Sequence, residues 1–161
     1  MKNAIALYLV SIVAANLIVN YFGPSATIIV AFFFIGLDLS IRDYLHEAFN
    51  DKLFVKMGAL ILSGSAITVA LNFDAMQIAI ASAVAFGCSA VADSVVYQFL
   101  KSKKFLVKSN ASNVAGSAVD SVLFPTIAFS ALMPEIVIAQ FMAKLVGGFV
   151  FALIIKKVRD Q

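Results

Sequence analysis

The chain has 161 residues, of which 62% are hydrophobic and 13% charged, about half the charged share of an ordinary soluble domain. That balance excludes a water-soluble globular domain and points to a polytopic membrane protein, with room for one compact bundle and no separate soluble domain. The net charge of +3 suggests nucleic acid only until the positions of the charges are read, and a single cysteine excludes an intramolecular disulfide.

A spanning helix needs about 20 mostly apolar residues. The first is expected at 4–22. It lacks a small-residue cleavage site before its polar exit, so it reads as a mature helix and not a signal peptide. A Gly23-Pro24 turn leads to the second, at 24–41, with proline opening the helix. The third is expected at 53–71. After a joint at Asn72-Phe73-Asp74 comes the fourth, at 75–100. It contains Cys88, whose apolar surroundings read as those of a packing residue. The fifth is placed at 113–133 and the sixth at 134–155, again opened by a proline. The expected fold is therefore an all-α integral membrane protein, a six-transmembrane-helix bundle forming one domain over 1–161.

The basic residues orient it. Lys2 precedes the first span, and Arg42, Lys52 and Lys56 lie between the second and third. Lys101, Lys103, Lys104 and Lys108 separate the fourth and fifth, and Lys156, Lys157 and Arg159 follow the sixth. The three short joints carry no Lys or Arg. Cytoplasmic loops hold the excess of basic residues, so both termini are expected in the cytoplasm. The basic loops then serve as topology signals and lipid contacts, with no nucleic acid among the partners.

Lys144, in AQFMAKLVGGF, breaks this pattern by lying inside the last span. Asp38, Asp93 and Asp120 likewise fall within apolar runs. Charges at membrane depth cost roughly 2.5–3.5 kcal/mol on insertion scales and are functional by default. Counting at about 1.5 Å per residue, Asp93 and Asp120 come to a similar depth in the cytoplasmic third, with Asp38 nearer the cytoplasmic end and Lys144 nearer the midplane. Asn16 is also deep.

Each acid shares a helix face with small or polar residues. Asn113, Gly116, Ser117 and Asp120 recur at helical spacing, as do Ser82, Ser89 and Asp93, and Gln140 and Lys144 ahead of Gly147-Gly148. These faces should turn into the bundle. Fully ionised, three aspartates and one lysine leave a charge of −2. Some acids are protonated, or Arg42 reaches in, or a solute completes the site. Bland readings compete: an i, i+4 ion pair of Asp38 with Arg42 holding a loop, and a structural salt bridge from Lys144 to Asp93 or Asp120. His46 and Glu47 have no second His or Cys to make a metal site and read as surface residues. No nucleotide-binding loop or nucleophile elbow is present, so neither an enzyme nor a cofactor is expected.

These residues fall in a familiar order. Ala15-Asn16-Leu17, Phe34 to Asp38, Asp93-Ser94-Val95-Val96-Tyr97, the segment from Ser112 through Ser117 to Phe124, and Lys144 together resemble the vitamin-uptake-transporter-like family. The best-known members of that family are bacterial queuosine-precursor transporters. The resemblance covers nearly the whole chain, and the fifth-helix segment is its most specific part. The chain departs from longer relatives in LSIRDYLHEAFNDK after Asp38 and in Lys108-Ser109-Asn110 before the fifth-helix segment.

The resemblance implies a multi-pass protein of the bacterial inner membrane. It would import 7-cyano-7-deazaguanine, 7-aminomethyl-7-deazaguanine or queuine. Asn16, Phe34, Asp38, Asp93, Asn113, Ser117, Asp120 and Lys144 are then the expected solute-binding residues, with Asp38 and Arg42 as a gating or structural ion pair. A guanine-like edge offers N1–H and an exocyclic amine side by side, which one carboxylate accepts together. Lys144 or an asparagine suits the carbonyl, and Phe34, Tyr97 or Phe124 could stack on the ring. Expected partners are the deazaguanine-type solute, membrane lipid and a second copy of the chain in a homodimer, with no metal. The alternative is the substrate-binding subunit of an energy-coupling-factor-type vitamin importer, which co-purification with an ATPase would distinguish.

Overall fold

The computed structural model describes residues 1–49 and 52–159. Helix α1 (Lys2–Phe22) stops at Gly23, whose φ of 75° lies in the left-handed region that favours glycine. Pro24 follows at the first position of a 3-10 turn, Pro24–Ala26, where its missing N–H costs nothing. Helix α2 then runs through three continuous stretches: Thr27–Val30, a π-helical Ala31–Ile35, and Gly36–Ala48. It continues past the expected end at 41. The side chains of His46 and Glu47 lie outside the described residues.

Helix α3 is Leu53–Leu71, and a turn at Phe73–Ala75 leads into α4 (Met76–Phe99). That turn is capped by Asn72, whose Oδ1 accepts the Asp74 N–H at 3.0 Å. Helix α5 is Phe105–Ala128 and α6 is Pro134–Arg159.

The fifth helix departs most from expectation. It starts eight residues before position 113 and ends five before 133. Lys108 marks a loop by the charge pattern, but its ammonium sits 4.5 Å from the Tyr97 ring centroid of α4. That contact holds the cation against a neighbouring helix and lets the helical backbone begin inside the basic segment. At the far end, Ser130 takes a φ of 53°, which no helix continues through.

Among the described residues the helices close into a ring in the order α1, α3, α4, α5, α6, α2 and back to α1. The ring is turned inside out relative to a soluble bundle. Phe33, Leu62, Ile80, Val91 and Ile138 are exposed, while Asn16, Asp38, Asp93, Asp120 and Lys144 are buried. An apolar exterior of this extent is stable only in lipid. Five stretches are long and apolar enough to cross a membrane: Lys2–Phe22, Pro24–Arg42, Phe54–Leu71, Phe73–Phe99 and Pro134–Phe151. Helix α5 is the remaining one. Its 24 residues span about 36 Å, enough for a hydrocarbon core of about 30 Å. It falls short in hydropathy because one face carries Ser109, Ser112, Asn113, Ser117 and Asp120, all buried against other helices. Cys88 does not pack in the interior: it is exposed on the outer face of α4, a side the apolar sequence around it cannot distinguish from the inner one.

We propose the orientation that the Lys and Arg distribution sets, with both termini cytoplasmic. Reporter fusions should read inside at the C-terminus and outside in the joint at Asn72. An external C-terminal reading would reverse the bundle.

Candidate functional site

The polar centre is built from two ion pairs on different helices. Lys144 of α6 donates to Asp120 Oδ2 of α5 at 2.5 Å, to Ser121 Oγ at 3.0 Å and to Gln140 Oε1 at 3.2 Å. Those three bonds use every N–H of the ammonium. The bonds to Asp120 and Ser121 tie α6 to α5, and Gln140 reaches Lys144 because it lies one turn earlier on the same face.

Arg42 of α2 makes the second pair. Its Nη2 lies 3.3 Å from Asp93 Oδ1 of α4, and its Nη1 donates to Ser89 Oγ at 3.3 Å. Gly116 of α5 admits this head group. A Cβ there would stand 3.1 Å from Nη2 and 3.3 Å from Asp93 Cβ. Arg42 is therefore not the loop charge that its position among cytoplasmic basic residues suggests. It reaches in, the second of the three ways of balancing the buried acids. One pairing that it makes runs between helices, to Asp93.

Asp93 and Asp120 are not level. Gly116, which faces Asp93, lies one turn, about 6 Å, before Asp120 along α5. The early start of α5 removes the symmetric count that placed both acids at one depth.

Two cavities meet at the Lys144–Asp120 pair. The larger leaves only about 20 Å³ of open room and is lined by Asn16, Ser82, Phe86, Phe124, Gln140 and others besides the pair itself. That is space for about one water molecule, against roughly 300–1,000 Å³ for a ligand pocket, so a solute enters only when the helices part. The smaller is a packing gap with no room for a water molecule and is lined by Asp38, Arg42, Ser89 and Ser117. Ile35, Phe86, Asp120 and Lys144 border both, so the pair with these two apolar side chains forms the partition. Asn16 is fixed on its side of the cavity by donating from Nδ2 to Thr68 Oγ1 of α3 at 3.3 Å.

Several atoms around these cavities are buried without a hydrogen-bond partner among the described residues: Asp120 Oδ1, Gln140 Nε2, Ser117 Oγ and Asp38 Oδ1. A buried polar atom left unpaired costs about 1–3 kcal/mol, so each is a position where a solute, a proton or water gains by binding.

Of the residues expected to bind solute, the structure brings Asn16, Asp38, Ser117, Asp120 and Lys144 to the cavity walls. Asp93 lines neither cavity and is held by Arg42. Asn113 is buried but lines neither. Phe34 packs half-buried against the apolar core, and the aromatic walls are Phe86 and Phe124. Gln140 could have been found from its spacing to Lys144. Phe86 carries no signal, because an apolar residue in an apolar helix marks neither face.

A ring of membrane-crossing helices around a small, largely apolar cavity, with a buried ion pair in its wall, makes this a multi-pass membrane protein. The family profile described as "Putative vitamin uptake transporter" matches residues 2–158, and the chain belongs to that family. No curated protein and no solved structure matches it.

Proposed function

We propose that the protein imports a queuosine precursor, a 7-deazaguanine with a cyano or aminomethyl group or queuine itself, through the cavities on either side of the Lys144–Asp120 pair. The observation that carries this reading is the complementary pair of unfilled atoms on one cavity. Asp120 Oδ1 can accept and Gln140 Nε2 can donate. A lactam edge, N–H beside C=O, answers both at once. Phe86 and Phe124 offer apolar faces for a flat bicyclic ring. A solute N–H on Asp120 competes with Lys144 for the carboxylate, and the freed ammonium can turn to the solute carbonyl. Loosening the pair opens the partition between the two cavities, with the solute supplying the differential interaction that any such shift requires.

The test is uptake of labelled 7-cyano-7-deazaguanine, 7-aminomethyl-7-deazaguanine and queuine into bacterial cells lacking their own importer. At least one should accumulate when this chain is expressed. Gln140→Leu should raise its KM by roughly tenfold at unchanged membrane level, the worth of one buried hydrogen bond of about 1.4 kcal/mol. Accumulation of none of the three would remove the deazaguanine reading.

A further inference from the structure

Among the described residues, three buried acids and two buried bases share the polar centre, and the two ion pairs account for four of them. Asp38 is the fifth. It is 2% exposed, it lines the smaller cavity, and its Oδ1 has no hydrogen-bond partner among the described residues. Arg42, one turn along the same helix, directs its head group to Asp93 and Ser89. Fully ionised, the described set would carry a surplus of one negative charge, with Asp38 the carboxylate outside both ion pairs. An isolated charge in this setting is costly, and a proton on Oδ1 cancels it.

We propose that Asp38 is the proton-binding site of the transport cycle, and that one proton enters with each solute. The groups facing it are Tyr8 of α1, Arg42 on its own helix, Asp120 of α5, and Lys144 of α6 across the smaller cavity, with Asp93 of α4 behind Arg42. With the proton on Asp38, Arg42 belongs to Asp93 and the charges balance. When the partition opens and the proton leaves to the cytoplasmic water, the carboxylate draws on Arg42, four residues away on the same face. This loosens the Arg42–Asp93 contact between α2 and α4. Rebinding a proton from the external side restores it. The proton is taken from external water and given to cytoplasmic water, so each turn moves one positive charge inward.

The coupling to a solute rests on the importer reading above, but the proton site does not, and the experiments separate the two. Infrared difference spectroscopy of the purified protein near neutral pH, with no solute present, should show the carbonyl stretch of a protonated carboxylic acid that shifts in D2O. The band should disappear in Asp38→Asn, move in Asp38→Glu and persist in Asp74→Asn. Its absence from the unsubstituted protein, or its survival in Asp38→Asn, overturns the proton site.

In proteoliposomes, an external pH one unit below the internal should sustain up to about tenfold accumulation of 7-cyano-7-deazaguanine, the limit for one proton per solute. Asp38→Asn should lose the accumulation, and Asp74→Asn, in the joint away from the cavities, should keep it. Accumulation that ignores the gradient, or is undiminished in Asp38→Asn, overturns the coupling. If the unsubstituted protein moves none of this solute, the cargo reading fails while the infrared band still decides the proton site.

Discussion

Asp120→Asn and Lys144→Met are each expected to lower uptake by roughly 100-fold or more, about 2.7 kcal/mol in kcat/KM, and the double substitution to be no worse than the poorer single one. The pair closes the partition between the two cavities, so each residue acts only through the other. Asp120→Asn keeps the shape but removes the charge for which solute and lysine compete. Lys144 then retains Ser121 Oγ and Gln140 Oε1, enough to hold the ammonium and leave the path shut. Lys144→Met leaves Asp120 without its cation and the solute carbonyl without its ammonium, while methionine fills much of the space of the lysine stem, which spares the fold more than the transport. Two residues that act as a unit give strongly non-additive losses. Uptake per folded molecule, with folding followed by detergent size-exclusion, checks this. Losses that multiply in the double variant would mean the two side chains work separately.

The sequence made the bundle legible because hydropathy and loop charge are one-dimensional signals. Bounds such as 53–71 for the third helix coincide with the structure, because polar joints end that run sharply. What one dimension cannot carry is where a charge finds its partner. Lys108 and Arg42 both look like loop residues by position. One is held over an aromatic ring of α4 and the other is buried against Asp93, and both partners are distant in sequence. The polar stripes on α4, α5 and α6 do turn inward, with Ser82, Ser89, Ser117 and Gln140 all buried, since helical spacing alone fixes which residues share a face. The sequence carries Asp-Ser-Val twice, at Asp93-Ser94-Val95 and Asp120-Ser121-Val122, a short repeat whose two copies act separately in three dimensions. Each aspartate meets its own cation from another helix, Arg42 from α2 and Lys144 from α6, so the two halves of the repeat hold two separate contacts and not one shared carboxylate site.

Gly147→Ala is expected to have the largest effect of any single added methyl group. Helices α2 and α6 touch through their backbones. A Cβ on Gly147 would fall on the carbonyl oxygen of Phe32, with Phe32 C and Cα at 3.2 and 3.3 Å. A Cβ on Gly36 would lie 2.8 Å from both C and Cα of Gly147. No flexible side chain stands at either contact to move aside, so the helices must separate. Ser40 Oγ, which donates to the Gly148 carbonyl at 3.1 Å, would lose that interhelical bond and keep only the Gly36 carbonyl of its own helix at 3.2 Å. The crossing lies one turn from Lys144 and less than a turn from Asp38, so separation also pulls Asp38 and Arg42 away from the partition. Overpacking of this kind costs on the order of 1–3 kcal/mol, and the melting temperature in detergent should fall by roughly 5–10 °C. Uptake should fall by more than about tenfold even in the folded fraction, because a misplacement near 1 Å in a positioned site costs far more rate than stability. Gly58→Ala and Gly87→Ala are the controls. Nothing lies within 4 Å of a Cβ at either position, and both should melt within about 2 °C of the unsubstituted protein. If Gly147→Ala melts with those two, α2 and α6 do not meet backbone to backbone, and the crossing does not set the distance between Asp38 and Lys144.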